Sequence, residues 1–221
     1  MSQHRAARYE FAPDLPLEGV DPGTTLLVAG PTMSGARRLA LRLVTDGNDR
    51  GEGMILLTTN KGSETLLGEC DDLCTGLANA PFGVVDCVSK QQGNPVPSDR
   101  VETVSSPGDL TGVGIEFSGW CRRLREAGTE RVRTGLYSLS TLLMYTDFQT
   151  VSRFVHTLGG RISATDGLGV FLIDPATQDD RVVSTMTQFC DARVDVREGD
   201  DGNRRLRVRG LSDQPGGWTS Y

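Results

Sequence analysis

The sequence predicts an α/β domain with a mostly parallel sheet flanked by helices and a C-terminal antiparallel hairpin. Three observations carry this reading. Short apolar runs alternate along the chain with segments of helical periodicity. The runs are nearly continuously apolar, as strands covered on both faces are. The last two are separated only by a turn rich in Gly and Asp. A chain of 221 residues suits one sizeable domain, and 37% hydrophobic with 24% charged residues can supply its core. That composition excludes a mainly disordered chain. The organisation read from it is an arm over residues 1–17, a domain over 18–211 and a tail over 212–221, with no internal repeat.

The elements follow in order. Residues 1–17 hold Pro13 and Pro16 without periodicity and form the arm. Thr24 to Ala29 is a strand, followed by a Gly-rich turn and a helix from Arg37 to Thr45 with Leu39, Ala40, Leu43 and Val44 at helical spacing. Met54 to Thr59 is the second strand, and Ser63 to Ala78 a helix with Leu66, Leu67, Leu73 and Leu77 as its stripe. Phe82 to Val88 and Val101 to Ser105 are strands joined by a loop with Gly93, Pro95 and Pro97. Asp109 to Ala127 is a helix, Val132 to Tyr137 a strand, Asp147 to Thr165 a helix, Leu168 to Ile173 a strand and Thr177 to Asp191 a helix. Ala192 to Arg197 and Arg204 to Arg209 close the chain across the turn from Glu198 to Asn203, and Trp218 in the tail tucks onto the surface.

No apolar run is long enough to span a membrane, and the start Met1-Ser2-Gln3-His4-Arg5 has no apolar leader, so a cytoplasmic protein is expected. The five scattered cysteines (Cys70, Cys74, Cys87, Cys121, Cys190) read as reduced, half-buried thiols. A net charge of −6 argues against a dedicated nucleic-acid binder, leaving only weak binding through a local basic patch. Of 23 basic residues only Lys61 and Lys90 are lysines, and Asp outnumbers Glu by 19 to 10, a usage that points to a GC-rich, salt-adapted source.

Gly30-Pro31-Thr32-Met33-Ser34-Gly35-Ala36-Arg37 stands where a strand meets a helix, with glycines five apart. This is the frame of a phosphate-binding loop, whose backbone amides and helix N-terminus cradle phosphates while a Lys meets the β and γ groups and a Ser or Thr holds Mg²⁺. Here Ala36 fills the Lys position and Arg37 the hydroxyl position. The path from Gly30 to Gly35 is expected to wrap the start of the helix around an anion-sized hollow, with Arg38 beside Arg37 as a further cation.

The entry run Gly19 to Gly30, the run Gly51 to Thr59, Thr134 to Leu143, Phe154 to Leu158, Leu168 to Pro175 and the closing Arg205 to Leu211 together resemble the RecA superfamily, specifically its KaiC and GvpD-like branch and most closely haloarchaeal RecA-like proteins. The resemblance covers residues 19–211. It implies a RecA-like phosphate-loop fold, and ATP or another nucleotide as ligand. It also marks losses. Tyr137 stands where the family places its Mg²⁺-supporting Asp, and Asn60 and Lys61 stand where it places two glutamates, one the base for water. Phosphoryl transfer needs charge neutralisation by Lys and Mg²⁺ and an oriented water. Arg37 and Arg38 offer charge but no lone pair for a metal.

Other residues could carry chemistry, and each also has a plainer role. Asp174 and Asp86 end apolar strands, where ligands of open α/β sheets collect, and read more simply as turn and cap residues. Cys70 and Cys74 share a helix face but lack a second ligand pair for a metal. His156 reads as a packed core histidine and His4 as an arm residue. Arg193, Arg197, Arg204, Arg205, Arg207 and Arg209 cluster in the last hairpin, balanced by Asp191, Asp195, Glu198, Asp200 and Asp201. The resulting expectation is a non-hydrolysing regulatory or scaffolding protein that binds nucleotide or protein partners. The alternatives are a weak ATPase using Arg37, Arg38 and Asp174, and a DNA-associated accessory protein.

Overall fold

In the computed structural model, which describes residues 7–93, 98–199 and 201–221, the apolar runs become strands and the periodic segments helices. The chain runs β1 (Thr25–Ala29), α1 (Ala36–Thr45), β2 (Gly53–Thr58), α2 (Ser63–Asp71), β3 (Phe82–Asp86), β4 (Val101–Thr103), α3 (Leu110–Glu126), β5 (Val132–Tyr137), α4 (Leu139–Tyr145), α5 (Phe148–Ala164), β6 (Leu168–Ile173), α6 (Asp180–Gln188), β7 (Ala192–Glu198), β8 (Arg204–Arg209) and β9 (Thr219–Ser220). One sheet has the order β4-β3-β2-β5-β6-β1-β7-β8-β9. Its pairs from β4 to β7 are parallel, and β7-β8-β9 are antiparallel.

The strand period of two divides the core into two layers. Leu26 and Val28 of β1, with Met54 and Leu56 of β2, face a layer built by α1, α2 and the N-terminal arm. Leu27 and Ala29, with Ile55 and Leu57, face the layer built by α3, α4, α5 and α6. Nothing of β7 or β8 belongs to the second layer. Their inner side chains Val194, Val196, Leu206 and Val208 join the first; Arg193, Arg197, Arg205, Arg207 and Arg209 alternate onto the other face, while Arg204 shares the side of Leu206.

Asp109 and Asp147 begin the predicted helices as N-caps, accepting from Gly112 N at 2.9 Å and Thr150 N at 3.0 Å. The helix expected from Ser63 to Ala78 stops at Asp71 with Asp72 as its C-cap, and Gly76, at φ +75°, opens a separate 3-10 turn at Leu77–Asn79. The helix expected from Thr177 to Asp191 runs from Asp180 to Gln188, and Thr177 instead closes the 3-10 turn Pro175–Thr177. Two elements were not expected, α4 and β9. Pro95 and Pro97 of the predicted loop, His4 in the arm and Asp200 in the last turn lie outside the described residues.

The arm is bound to the edge where the strands begin. Tyr9 is fully buried, exchanges backbone hydrogen bonds with Val20, and its hydroxyl donates to Asp166 O at 2.9 Å. Arg133, 0% exposed, pairs with the nearly buried Glu52 and donates to Leu43 O and Glu10 O, both at 2.7 Å. Arg131 donates to the other Glu52 oxygen at 2.9 Å and lies 4.0 Å from the Tyr9 ring. All described helices fall short of the length and apolarity needed to cross a membrane.

Candidate functional site

At the opposite edge, where the parallel strands end, β1 turns into α1. Gly30 is held there by space: a Cβ would stand 2.7 Å from Ser34 Oγ, 2.8 Å from Ala36 Cβ and 2.9 Å from Val196 O. Met33 and Gly35 adopt φ of +71° and +94°, so the loop alternates into the left-handed region as anion-binding backbone concavities do. Met33 accepts this strained conformation with its side chain 89% exposed. Ser34 N donates to Pro31 O at 3.1 Å, and Ser34 Oγ receives Ala36 N at 3.4 Å. The amides of Gly35, Arg37 and Arg38 meet no acceptor among the described residues. These are the orphan donors of a helix start, on residues that line a cleft.

That cleft measures about 460 Å³. Its walls are the loop from Gly30 to Gly35, the first turn of α1, Asn60 and Lys61 after β2, Glu69 and Asp72 of α2 and its C-cap, Ser138 and Asp174 after β5 and β6, and Arg204 of β8. Ala36 is buried and adds no charge. Arg37 turns along the α2 wall, with Nε 2.8 Å from Glu69 Oε2 and Nη1 3.2 Å from Asn60 Oδ1. Lys61 pairs with the other Glu69 oxygen. Burial pushes the Glu69 carboxyl up, but the hydrogen bonds and charges of Arg37 and Lys61 more than offset it and hold it below its ordinary value. Arg38 and Arg204 are exposed, and their side chains have no hydrogen-bond or ion-pair partner among the described residues. Arg204 packs on Gly35, where a Cβ would come within 2.6 Å of its Cδ.

Tyr137 is fully buried beneath Arg37 and donates to Ala40 O at 3.2 Å, with burial pushing its phenol well above the ordinary value. It offers the cleft no anion. Asp174 is engaged at both oxygens: Oδ2 receives Thr32 N at 2.9 Å and Thr32 Oγ1 at 2.7 Å, and Oδ1 receives Ala176 N at 2.9 Å. It caps the 3-10 turn after β6 and pins the loop. No group of three or more His, Cys, Asp or Glu able to hold a metal occurs among the described residues.

The remaining candidates separate. Asp86 is 0% exposed and satisfied by Ser63 N, Val88 N, Ser89 N and Ser89 Oγ at 2.6 to 2.9 Å, a structural cap away from the cleft. All five cysteines are free, and Cys74 donates to Cys70 O at 3.4 Å. Burial pushes the Cys70 thiol up to about 12. His156 corrects the expectation of a core residue: it is exposed on α5 and meets the edge of Phe189 at 5.7 Å, because α5 buries the stripe Val151, Val155, Leu158 and Ile162 instead. In the hairpin, Asp195 takes Arg193 at 2.7 Å, Arg207 at 3.3 Å and Arg209 at 2.6 Å, while Arg205 pairs with Asp201 at 2.9 Å. Asp191 does not balance them, since its carboxylate receives Thr25 N at 2.8 Å. Trp218 lies under Arg197 at 4.1 Å and Arg207 at 4.8 Å. Glu69 and Asp72 were not anticipated. Their place in the cleft arises from the packing of α2 on α1, which no spacing in either segment announces.

Residues 23–196 match the model of a family described as a family of unknown function, DUF7504. None of the curated proteins matches the chain. Among solved structures, the KaiC-like protein PH0186 from the hyperthermophilic archaeon Pyrococcus horikoshii aligns with a TM-score of 0.66 at 13% identity, covering 99% of this chain and 93% of that one. The uncharacterised protein PH0321 from Pyrococcus horikoshii, solved in complex with an unknown peptide, aligns with a TM-score of 0.69 at 12% identity, covering 91% and 94%. At such identities the likeness is one of fold, and the fold is RecA/KaiC-like.

Proposed function

The chain belongs to the family DUF7504, whose description assigns no function, and from its site we propose a non-hydrolysing nucleotide-binding protein with a regulatory or scaffolding role. One observation carries the reading: the unpaired amides of Gly35, Arg37 and Arg38 and the free side chains of Arg38 and Arg204 border one cleft. Helix-start amides and guanidinium groups are what a phosphate chain needs. A nucleotide fits this donor set, held at its phosphates by those groups.

Mg²⁺ does not fit. The positions that would support it hold a buried phenol, an amide and two cations, and Asp174 already receives protein donors at both oxygens. With Ala36 in the loop's Lys position, and Asn60 and Lys61 where the resemblance expects the glutamates that orient water, a transferred phosphoryl group lacks its stabilisation, and losing one preorganised donor alone costs about 100 to 1,000-fold. Binding without turnover leaves the nucleotide as a signal, read through self-association or a protein partner.

Thermal unfolding with ATP or ADP, with and without Mg²⁺, tests this directly. We expect a stabilisation that rises with nucleotide concentration, is indifferent to Mg²⁺ and is lost in the Arg38→Ala/Arg204→Ala double variant, with no ATP hydrolysis above a blank. Turnover abolished by Arg37→Ala or Asp174→Ala would replace this reading with that of a weak ATPase.

A further inference from the structure

The α2 wall of the cleft already holds an anion, and the anion belongs to the chain. Glu69 Oε2 lies 2.8 Å from Arg37 Nε and 2.7 Å from Arg37 Nη2, and its Oε1 takes Lys61. Asn60 Oδ1 steadies the remaining arm of the guanidinium at 3.2 Å, and the buried Tyr137 ring backs it at 5.7 Å. Arg37 is thus set in place before any ligand arrives. A guanidinium fork and an ammonium that converge on a carboxylate fit a phosphate oxygen pair by the same geometry. These donors come from α1 and from the turn between β2 and α2, and they line the same cleft as Arg38 and Arg204.

We propose that Arg37, Lys61 and Asn60 form a second anion subsite of the cleft, occupied at rest by Glu69 as an internal counter-anion that a polyphosphate chain displaces. The proposal rests on the nucleotide reading above and adds a ligand class to it. A single phosphate satisfies the loop and its two free arginines. A chain of phosphates also reaches the α2 wall, where it must replace one carboxylate and can offer more charge and more acceptor oxygens than Glu69 does. The cleft then discriminates by the length of the phosphate chain, and Glu69 sets the threshold. Asn60, which accepts from Arg37 through its oxygen, keeps its amide NH₂ free to donate to the incoming chain.

The test is calorimetric titration of the full chain with orthophosphate, tripolyphosphate and ATP. In Glu69→Gln one opposing charge leaves the cleft while an acceptor for Arg37 remains. Tripolyphosphate and ATP should bind about tenfold tighter and orthophosphate should change by less than about twofold. The gain should vanish in Glu69→Gln/Arg37→Ala. Should Glu69→Gln fail to fold, Lys61→Ala carries the test from the other side, weakening tripolyphosphate and sparing orthophosphate. If the unaltered chain binds ATP and Glu69→Gln binds it equally or less well, or Lys61→Ala leaves tripolyphosphate unchanged, the second subsite is overturned and the nucleotide reading stands. If neither the unaltered chain nor Glu69→Gln binds tripolyphosphate or ATP, both fall. Binding of tripolyphosphate by Glu69→Gln alone supports the subsite, with Glu69 as a complete block.

Discussion

Asp86 satisfies four donors, from Ser63, Val88 and twice from Ser89, without any exposed surface. Burial pushes its carboxyl up, but those hydrogen bonds more than offset it and hold it below the ordinary carboxylate range. Asp86→Ala leaves three buried amides without acceptors and should lower the unfolding free energy by about 3 kcal/mol in urea titrations. The pH dependence has a definite sign. A carboxyl depressed in the folded state stabilises fully above its unfolded value, near 4, and the contribution fades as pH falls through the folded value. The gap between Asp86→Ala and the unaltered protein should therefore narrow in acid. A gap equally wide at pH 7 and about pH 3 would mean that packing, not ionisation, holds the turn. The same residue type at the end of β6 does different work, since Asp174 fastens a loop that borders the cleft.

At the scale of elements, α3 docks on the sheet by laying Trp120 flat against Gly83 of β3, where a Cβ would fall 2.0 Å from the indole Cδ2. Gly83→Ala should cost about 3 kcal/mol or more by forcing the helix off its seat. Gly160, within α5 and with nothing near its absent Cβ, behaves oppositely: Gly160→Ala should stabilise by up to about 1 kcal/mol. Paired thermal melts read both, and a neutral Gly83→Ala would show that α3 is free to shift. Strands β5, β6 and β8 match the boundaries read from the sequence: β5 and β6 are buried parallel strands that polar turns bracket, and β8 alternates Leu206 and Val208 with arginines after the Gly-rich and Asp-rich turn. Helix α4 escaped because Leu139–Tyr145 spans only about two turns, too short for its buried Leu139 and Leu142 to show a period. The loop from Gly30 to Arg37 was legible, since its glycines answer to local sterics. The α2 wall was not, because Arg37 meets Glu69 across 32 residues and only the packed helices bring them together.

For the molecule as a whole, the arm and the strand-start edge form one unit through Glu52 and Arg133. Removing the carboxylate strands a fully buried guanidinium, so Glu52→Ala should destabilise by about 3 to 5 kcal/mol and release the arm, seen as faster amide exchange at Tyr9 and Val20. Unchanged exchange there would assign the arm's attachment to the burial of Tyr9, Phe11 and Leu15 alone. The far end of the sheet obeys another balance. Two rungs of the β7-β8 ladder set arginine opposite arginine, Arg193 with Arg209 and Arg197 with Arg205, and like charges so placed repel. Asp195, with its side chain only 10% exposed, draws three guanidinium groups together from a site that mobile ions reach poorly. At about 1 M NaCl the Debye length shrinks to ~3 Å, so the ionic atmosphere quiets the repulsion within these pairs, each with one exposed and one half-buried arginine, more than it weakens the sheltered attraction to Asp195. Amide exchange across β7 and β8 should accordingly slow in concentrated electrolyte while that across β2 and β5 hardly changes, which makes the hairpin a segment whose rigidity is set by the surrounding solution.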